Sequence, residues 1–261
     1  MTGGSMSLNI IDAHAHCGRL DTFPPQDLRD YVAHIGGSGI GGAVMFSPVI
    51  EIYDRYDRHF RDTEEWRRRR AESNEYLLSV STSEFVVYPY FFIWNDFAVE
   101  QLSAAHKGIK WHRHPGEPVY NYDDPKCAAA IAEIRRRNMP VCLEEEFVNT
   151  LYFINELAHG VKVIIPHCGM LNGGYDLFRR EGIWEMPGIY ADTALAPASD
   201  ISDYVSRYGC ERLMFGSDFP FGDPAFELQK ILRMNLTGEQ KEAITGGNAA
   251  RLLEASNRQT E

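Results

Sequence analysis

Leu8-Asn9-Ile10-Ile11-Asp12-Ala13-His14-Ala15-His16 is an apolar, β-rich run that ends in two imidazoles. Side chains alternate between faces along a strand, so histidines two residues apart point the same way. Two histidines on one face supply half of a transition-metal site. Asp12 falls on the same face by this count and reads as structural. Asp218, in Arg212-Leu213-Met214-Phe215-Gly216-Ser217-Asp218-Phe219-Pro220, ends another apolar run about 200 residues downstream. The pairing predicts a metal at the mouth of a barrel whose first and last strands are neighbours.

Short β-rich runs alternate with helical patterns along the rest of the chain. Strands are expected at Leu8–His14, Gly42–Ser47, Phe85–Trp94, Gly108–His112, Pro140–Glu144, Lys162–His167, Ile189–Thr193 and Leu213–Ser217. Helices are expected between them at Gln26–Ile35, Arg61–Ser79, Phe97–Ala105, Pro125–Asn138, Leu151–His159, Tyr175–Ile183 and Ile201–Tyr208. Asp124 followed by Pro125 is a strong helix start. Thr237 and Gln240 form a capping box before Glu239–Ile244, and Asn248 is placed to cap a last helix. Strict alternation implies a parallel sheet with helices outside, and eight repeats in this length predict one (β/α)8 barrel over residues 7–261. A doubly wound sheet would place a glycine-rich turn after its first strand, where this chain has His14-Ala15-His16. Residues 1–6, Met-Thr-Gly-Gly-Ser-Met, read as a disordered leader or an expression remnant.

The charge balance is 26 basic against 37 acidic residues, a net −11, which argues against general binding of nucleic acid or anionic membrane. No apolar run approaches the length of a membrane span. The five cysteines are scattered without a C-x-x-C pair, as expected of reduced thiols in a cytoplasmic protein. Arg67–Arg70 is a basic run, but Asp62, Glu64, Glu65, Glu72 and Glu75 surround it, so a self-neutralised face or a subunit contact is expected.

In a (β/α)8 barrel the active site lies at the C-terminal strand ends. Those ends here supply His14 and His16, Glu144, His167 and Asp218 to one cavity. The motifs Ile11-Asp12-Ala13-His14-Ala15-His16, Gly108-Ile109-Lys110-Trp111-His112, Pro140-Val141-Cys142-Leu143-Glu144, Pro166-His167-Cys168-Gly169, Phe215-Gly216-Ser217-Asp218 and Gly247-Asn248-Ala249-Ala250-Arg251 fall in this order. In that set the chain resembles the amidohydrolase superfamily, in its branch of small metal-dependent hydrolases and decarboxylases. The resemblance implies a divalent metal, zinc first with Mn²⁺ or Fe²⁺ as alternatives, held by His14, His16 and Asp218. It implies that Asp218 takes the proton of an activated water and that His167 polarises water or substrate, or binds the metal.

One position departs from the family, whose members commonly end strand five in histidine where this chain has Glu144. A carboxylate there can bind metal and makes the site harder and more anionic, or it weakens the metal site. Glu145 and Glu146 extend the run, and Glu146 shares the face of Glu144. Lys110 is expected to orient the substrate or a pocket acid. His112, His114 and Trp94 are substrate-contact candidates, with surface loop and barrel packing as their plain alternatives. Asp192 is a candidate at the same level, to hold a ligand histidine or cap the next helix. His34, His59, His106 and His159 are expected at the surface, and the excursion from Tyr53 to Trp66 is placed to act as a lid.

The resemblance implies hydrolysis of an amide, lactone or other ester of a small molecule. Decarboxylation of a small aromatic or enoic acid on the same metal is the alternative, and a decayed barrel that only binds ligand is a third reading. No nucleic-acid or membrane partner is expected, and self-association is left open.

Overall fold

A computed structural model describes residues 10–20 and 26–257. The leader expected at residues 1–6 falls outside them. Eight parallel strands follow in chain order: β1 (Ile10–His16), β2 (Ile40–Phe46), β3 (Val86–Phe92), β4 (Gly108–His112), β5 (Val141–Glu144), β6 (Val163–Ile165), β7 (Ile189–Asp192) and β8 (Leu213–Met214). The sheet closes on itself where Ala13 N donates to Phe215 O at 2.7 Å and His16 N donates to Phe219 O at 2.8 Å. The result is a single (β/α)8 barrel, as the alternation predicts.

The helices are α1 (Leu28–His34), α2 (Glu64–Tyr76), α3 (Pro125–Arg136), α4 (Phe147–Tyr152), α5 (Tyr175–Arg180), α6 (Ala198–Tyr208), α7 (Pro224–Arg233), α8 (Gly238–Glu242) and α9 (Asn248–Asn257). Four differ from expectation. The helix expected at Leu151–His159 begins earlier, as α4, and continues as a π-helical stretch at Phe153–Leu157. Phe97–Ala105 holds only a 3-10 turn at Val99–Gln101, because Phe97 adopts a positive φ and Leu102 is extended, so the chain cannot wind through. The sequence reading lacks α7, although Asp223 caps it through Phe226 N and Pro224 opens it, the same signature that marks α3. Asn248 is helical and not an N-cap. Its amide donates to the carbonyls of Cys210 and Leu213, both at 2.6 Å, and so ties α9 to the foot of β8.

Two apolar layers result. Inside the barrel, Ile11, Ala13, Val44, Phe46, Tyr90, Cys142, Ile164 and Met214 pack together, and Ala249, Leu252 and Leu253 of α9 join them. The larger layer lies between the strands and the outer helices. The polar strand ends therefore stand on a packed apolar floor, which keeps water away from them on that side.

His106, expected at the surface, is buried instead, edge-on to Phe91 with its Nδ1 accepting from Ser103 N at 3.0 Å. Burial pushes its pKa down from 6.5 to about 4, so the fold holds the neutral ring. The unfolded chain takes up the proton first, so stability present above pH 6.5 drains away as the pH falls toward 4. Relative to His106→Asn, the wild type should lose roughly 3 kcal/mol over that window, at about 1.4 kcal/mol per pKa unit, as measured by denaturant titration at several pH values.

Candidate metal centre

The site begins with a break in the first strand. Asp12 pairs with Ala43 of β2 and Ala15 with Met45, so β1 advances one residue more than its neighbour. Such a bulge re-aims side chains. Ile11 and Ala13 point into the barrel, His14 and His16 follow at its mouth, and Asp12 points outward to Tyr31 of α1. Asp12 therefore does not share the face of His14, as strict alternation had required. Gly216 permits the opposite strand to close in, since a Cβ there would stand 2.9 Å from the Cβ of His14.

Asp218 sits at φ 56°, a left-handed position, and its Oδ1 lies 3.3 Å from both His14 Nε2 and His16 Nε2. The end of β6 turns through three left-handed residues, His167, Cys168 and Gly169, with φ of 57°, 49° and 82°. Such backbone costs on the order of 1 kcal/mol per non-glycine residue and gathers at functional sites. The turn lays His167 beside His14, with ring centroids 4.9 Å apart, and 3.7 Å from Glu144 Oε1. Cys168 is buried packing, its thiol donating to Asp192 O. His14, His16 and Asp218 form one cluster that could hold a metal ion, and His14, Glu144 and His167 form another, with His14 common to both.

The outer nitrogen of each imidazole is anchored to an acceptor. His14 Nδ1 lies 2.7 Å from Asp192 Oδ2, His167 Nδ1 lies 2.9 Å from Ala194 O, and His16 Nδ1 lies 3.3 Å from Ser47 O. A carbonyl or carboxylate only accepts, so each Nδ1 carries a hydrogen, and the neutral form of each ring keeps its lone pair on Nε2. His14 Nε2 and His167 Nε2 are buried without a hydrogen-bond partner. Imidazoles whose Nε2 atoms are buried beside two carboxylates fit a divalent cation, which would take the place of the proton that those carboxylates favour. Burial and Lys110 push His14 down, but Asp192 and Asp218 outweigh them and hold it well above the ordinary imidazole value. Burial also pushes Asp218 up, yet His14 and His16 keep its carboxyl ionised below the ordinary range.

Glu144 has both oxygens engaged. Oε2 accepts from Lys110 Nζ at 2.8 Å, and Oε1 accepts from His114 Nε2 at 2.6 Å. Burial raises its pKa, but Lys110 and His112 more than reverse that. Lys110 is fully buried, 4.3 Å above the Phe46 ring. Burial pushes His112 down to about 3, so its ring is neutral. Arg55 donates to His114 Nδ1 at 3.1 Å and to Glu117 Oε1 at 2.7 Å. Glu145 and Glu146 turn away from the centre to pair with Arg113.

A cavity of about 240 Å³ opens over these groups. Its polar wall is His16, His112, His114, Glu144, Asp218 and Arg55, and its apolar wall is Val49, Leu171, Leu195 and Phe221. A larger groove of about 670 Å³ along α1 holds none of these histidines. Trp94 does not reach the cavity, being stacked behind Tyr53 with ring centroids 3.9 Å apart. Asp192 is also out of reach of substrate: it holds His14 through Oδ2 and the amides of His167 and Ala194 through Oδ1. Arg55 is the residue that sequence reasoning missed. It lies within the excursion expected to be a lid, but Arg70, buried and bonded to Ile52 O, Asp62 and Asp96, fastens that excursion down. Arg70 therefore leaves the solvent-exposed charge face expected of its run.

A family profile described as Amidohydrolase matches residues 107–255. A search of curated proteins by sequence finds no match. Among solved structures, the chain is similar to a 5-carboxyvanillate decarboxylase from Sphingomonas paucimobilis, at 11% identity and TM-score 0.67 over 95% of this chain and 99% of that one. It is similar to a dihydroxybenzoic acid decarboxylase from a Polaromonas species with bound manganese and 2-nitroresorcinol, at 12% identity and TM-score 0.67 over 94% and 97%. It is also similar to an amidohydrolase from Burkholderia multivorans with bound zinc, at 16% identity and TM-score 0.66 over 94% and 99%. At these identities the likeness shows the fold.

The Lys110–Glu144 pair yields a direct test. Glu144→Gln should destabilise the protein by roughly 3–5 kcal/mol, because a buried ammonium loses its counter-charge. Combining Lys110→Met with Glu144→Leu should recover most of that loss in thermal denaturation. A double variant as unstable as the single one would show that the ammonium is not the cause.

Proposed function

The chain belongs to the amidohydrolase family, and on that premise we propose that it is a metal-dependent hydrolase of a small amide, lactone or other ester. The carrying observation is the placement of the Nε2 atoms of His14, His16 and His167, each ring anchored outward through Nδ1, beside the Asp218 carboxylate. His14, His16 and Asp218 would hold one divalent ion, and His167 and Glu144 are further donors beside His14. When bound, the ion supplies Lewis acidity, which lowers the pKa of a water from about 15.7 toward about 7 and polarises a carbonyl. Mixed imidazole and carboxylate donors suit zinc, and the second carboxylate, Glu144, also suits manganese or iron(II).

Asp218 is ionised and therefore able to take the proton of the attacking water. It then returns that proton to the leaving group. His167, with its hydrogen turned away to Ala194 O, accepts or ligates through Nε2 and does not donate to the substrate in its neutral form. His112 and His114 border the substrate, Lys110 keeps Glu144 charged, and the apolar wall seats the substrate's carbon frame. Arg55 favours decarboxylation of a small acid as the second reading, because a guanidinium on the cavity wall can hold a carboxylate. Small-molecule chemistry suits a cavity of this size, and no helix among the described residues is long and apolar enough to cross a membrane. The unpaired, buried cysteines favour a reducing compartment such as the cytoplasm.

Elemental analysis of protein purified without added metal should find about one equivalent of a divalent ion. A panel of lactones and esters, run beside hydroxybenzoates with carbon dioxide release monitored, should give turnover on the first group. Asp218→Asn should lower that turnover by about 10²- to 10⁴-fold, the usual size of a lost acid–base group. Carbon dioxide release without ester cleavage would select the decarboxylase. Protein that neither binds metal nor gains activity from added Zn²⁺ or Mn²⁺ would leave a ligand-binding barrel.

A further inference from the structure

We infer that Asp12 is a positioning residue for the metal ligands, acting through the backbone of the two strands that carry them. This rests on the metal reading of the site. Asp12 is fully buried on the outer side of β1. Its Oδ1 accepts from His14 N and Ser217 N, both at 3.0 Å. Its Oδ2 accepts from Tyr31 Oη at 2.8 Å and Ser217 Oγ at 2.5 Å. One carboxylate thus grips the amide of one proposed ligand, His14, and the residue before another, Asp218.

Two features make that grip necessary. The bulge at Ala13–His14 takes the His14 amide out of the regular ladder to β2. The ladder strand β8 stops at Met214, four residues short of Asp218. The two segments still meet through His14 O, which accepts from Asp218 N, and through the Ala15–Phe219 bridge, but the amide of His14 has no strand partner of its own. The Asp12 carboxylate takes up the amide that the bulge frees and ties it to Ser217, and so sets, together with the His14 carbonyl, how far His14 stands from Asp218. Asparagine can do much the same, since its oxygen accepts both amides and the two hydroxyls can turn to accept from its nitrogen. Alanine cannot.

The test is Zn²⁺ binding to the full chain stripped of metal, read by competition with a chromophoric chelator at a temperature where circular dichroism shows each variant folded. Asp12→Ala should weaken Zn²⁺ binding by about 10- to 100-fold, the usual cost of a lost outer partner, while Asp12→Asn stays far closer to wild type. Tyr31→Phe, which leaves both amide bonds in place, should lower the melting temperature without moving the affinity. Asp12→Ala binding Zn²⁺ as tightly as wild type overturns the inference. So does Asp12→Asn binding as weakly as Asp12→Ala, because charge and not backbone position would then be at work. Should Asp12→Ala not fold, Asp12→Ser takes its place, since its hydroxyl is one bond shorter and cannot stand where Oδ1 accepts both amides, and unchanged affinity in that variant overturns the inference equally. Wild-type protein that binds no Zn²⁺, Mn²⁺ or Fe²⁺ overturns the metal reading and this inference together, whereas normal wild-type binding with indifferent variants overturns this inference alone.

Discussion

The carbonyl of His14 accepts from the amide of Asp218 at 2.7 Å, and the rest of the site depends on that bond across the barrel seam. It joins the two ends of a closed sheet, and it seats a carboxylate against two imidazoles that are remote in sequence. Everything around it limits freedom. Gly216 removes the side chain that would block the approach, the bulge turns both imidazoles inward, and Asp192 bridges His14 to the turn after β6. Because the anchors take the Nδ1 hydrogens, the ring orientations and the tautomers are set by the same contacts.

The charges are arranged in two tiers. Nearest the seam, anionic Asp218 faces imidazoles that are anchored elsewhere. Across the barrel mouth, at the end of β5, Glu144 is matched by a buried ammonium and a histidine that Arg55 in turn supports. Burying so many ionisable groups opposes folding unless each has its partner. The apolar floor under them and the strand ladders below supply the stability that the mouth of the barrel does not. The left-handed residues at the ends of β6 and β8 belong to the same compromise, since they hold donor atoms where relaxed backbone would not.

Much of this was legible in the chain. The imidazole pair after an apolar run, the Gly-Ser-Asp at the last strand and the alternation of runs led to the barrel and to the residues that now stand together. What stayed hidden depends on register or distant contact. The bulge can be seen only when β1 is laid against β2, so Asp12 was placed on the wrong face. Arg55 lies in a charged stretch that resembles solvated surface, and its role arises from folding back onto His114 and Glu117. Trp94 was expected to end its strand but lies two residues past the end of β3, and Tyr53 arrives from another loop to cover it. His106 looks polar in sequence and is buried by Phe91 and the turn at Ser103. Only α7 carried a local signal that was passed over, Asp223-Pro224.

Arg70 bonds to Ile52 at one end of the excursion after β2 and to Asp62 near the other. A loop riveted at both feet can be rewritten along its span while the rivets keep the neighbouring strand and helix in register. The stretch that delivers Arg55 to the cavity is thus a replaceable panel. A change at Arg55 alters the charge on that side of the cavity and leaves the imidazoles and carboxylate at the seam untouched.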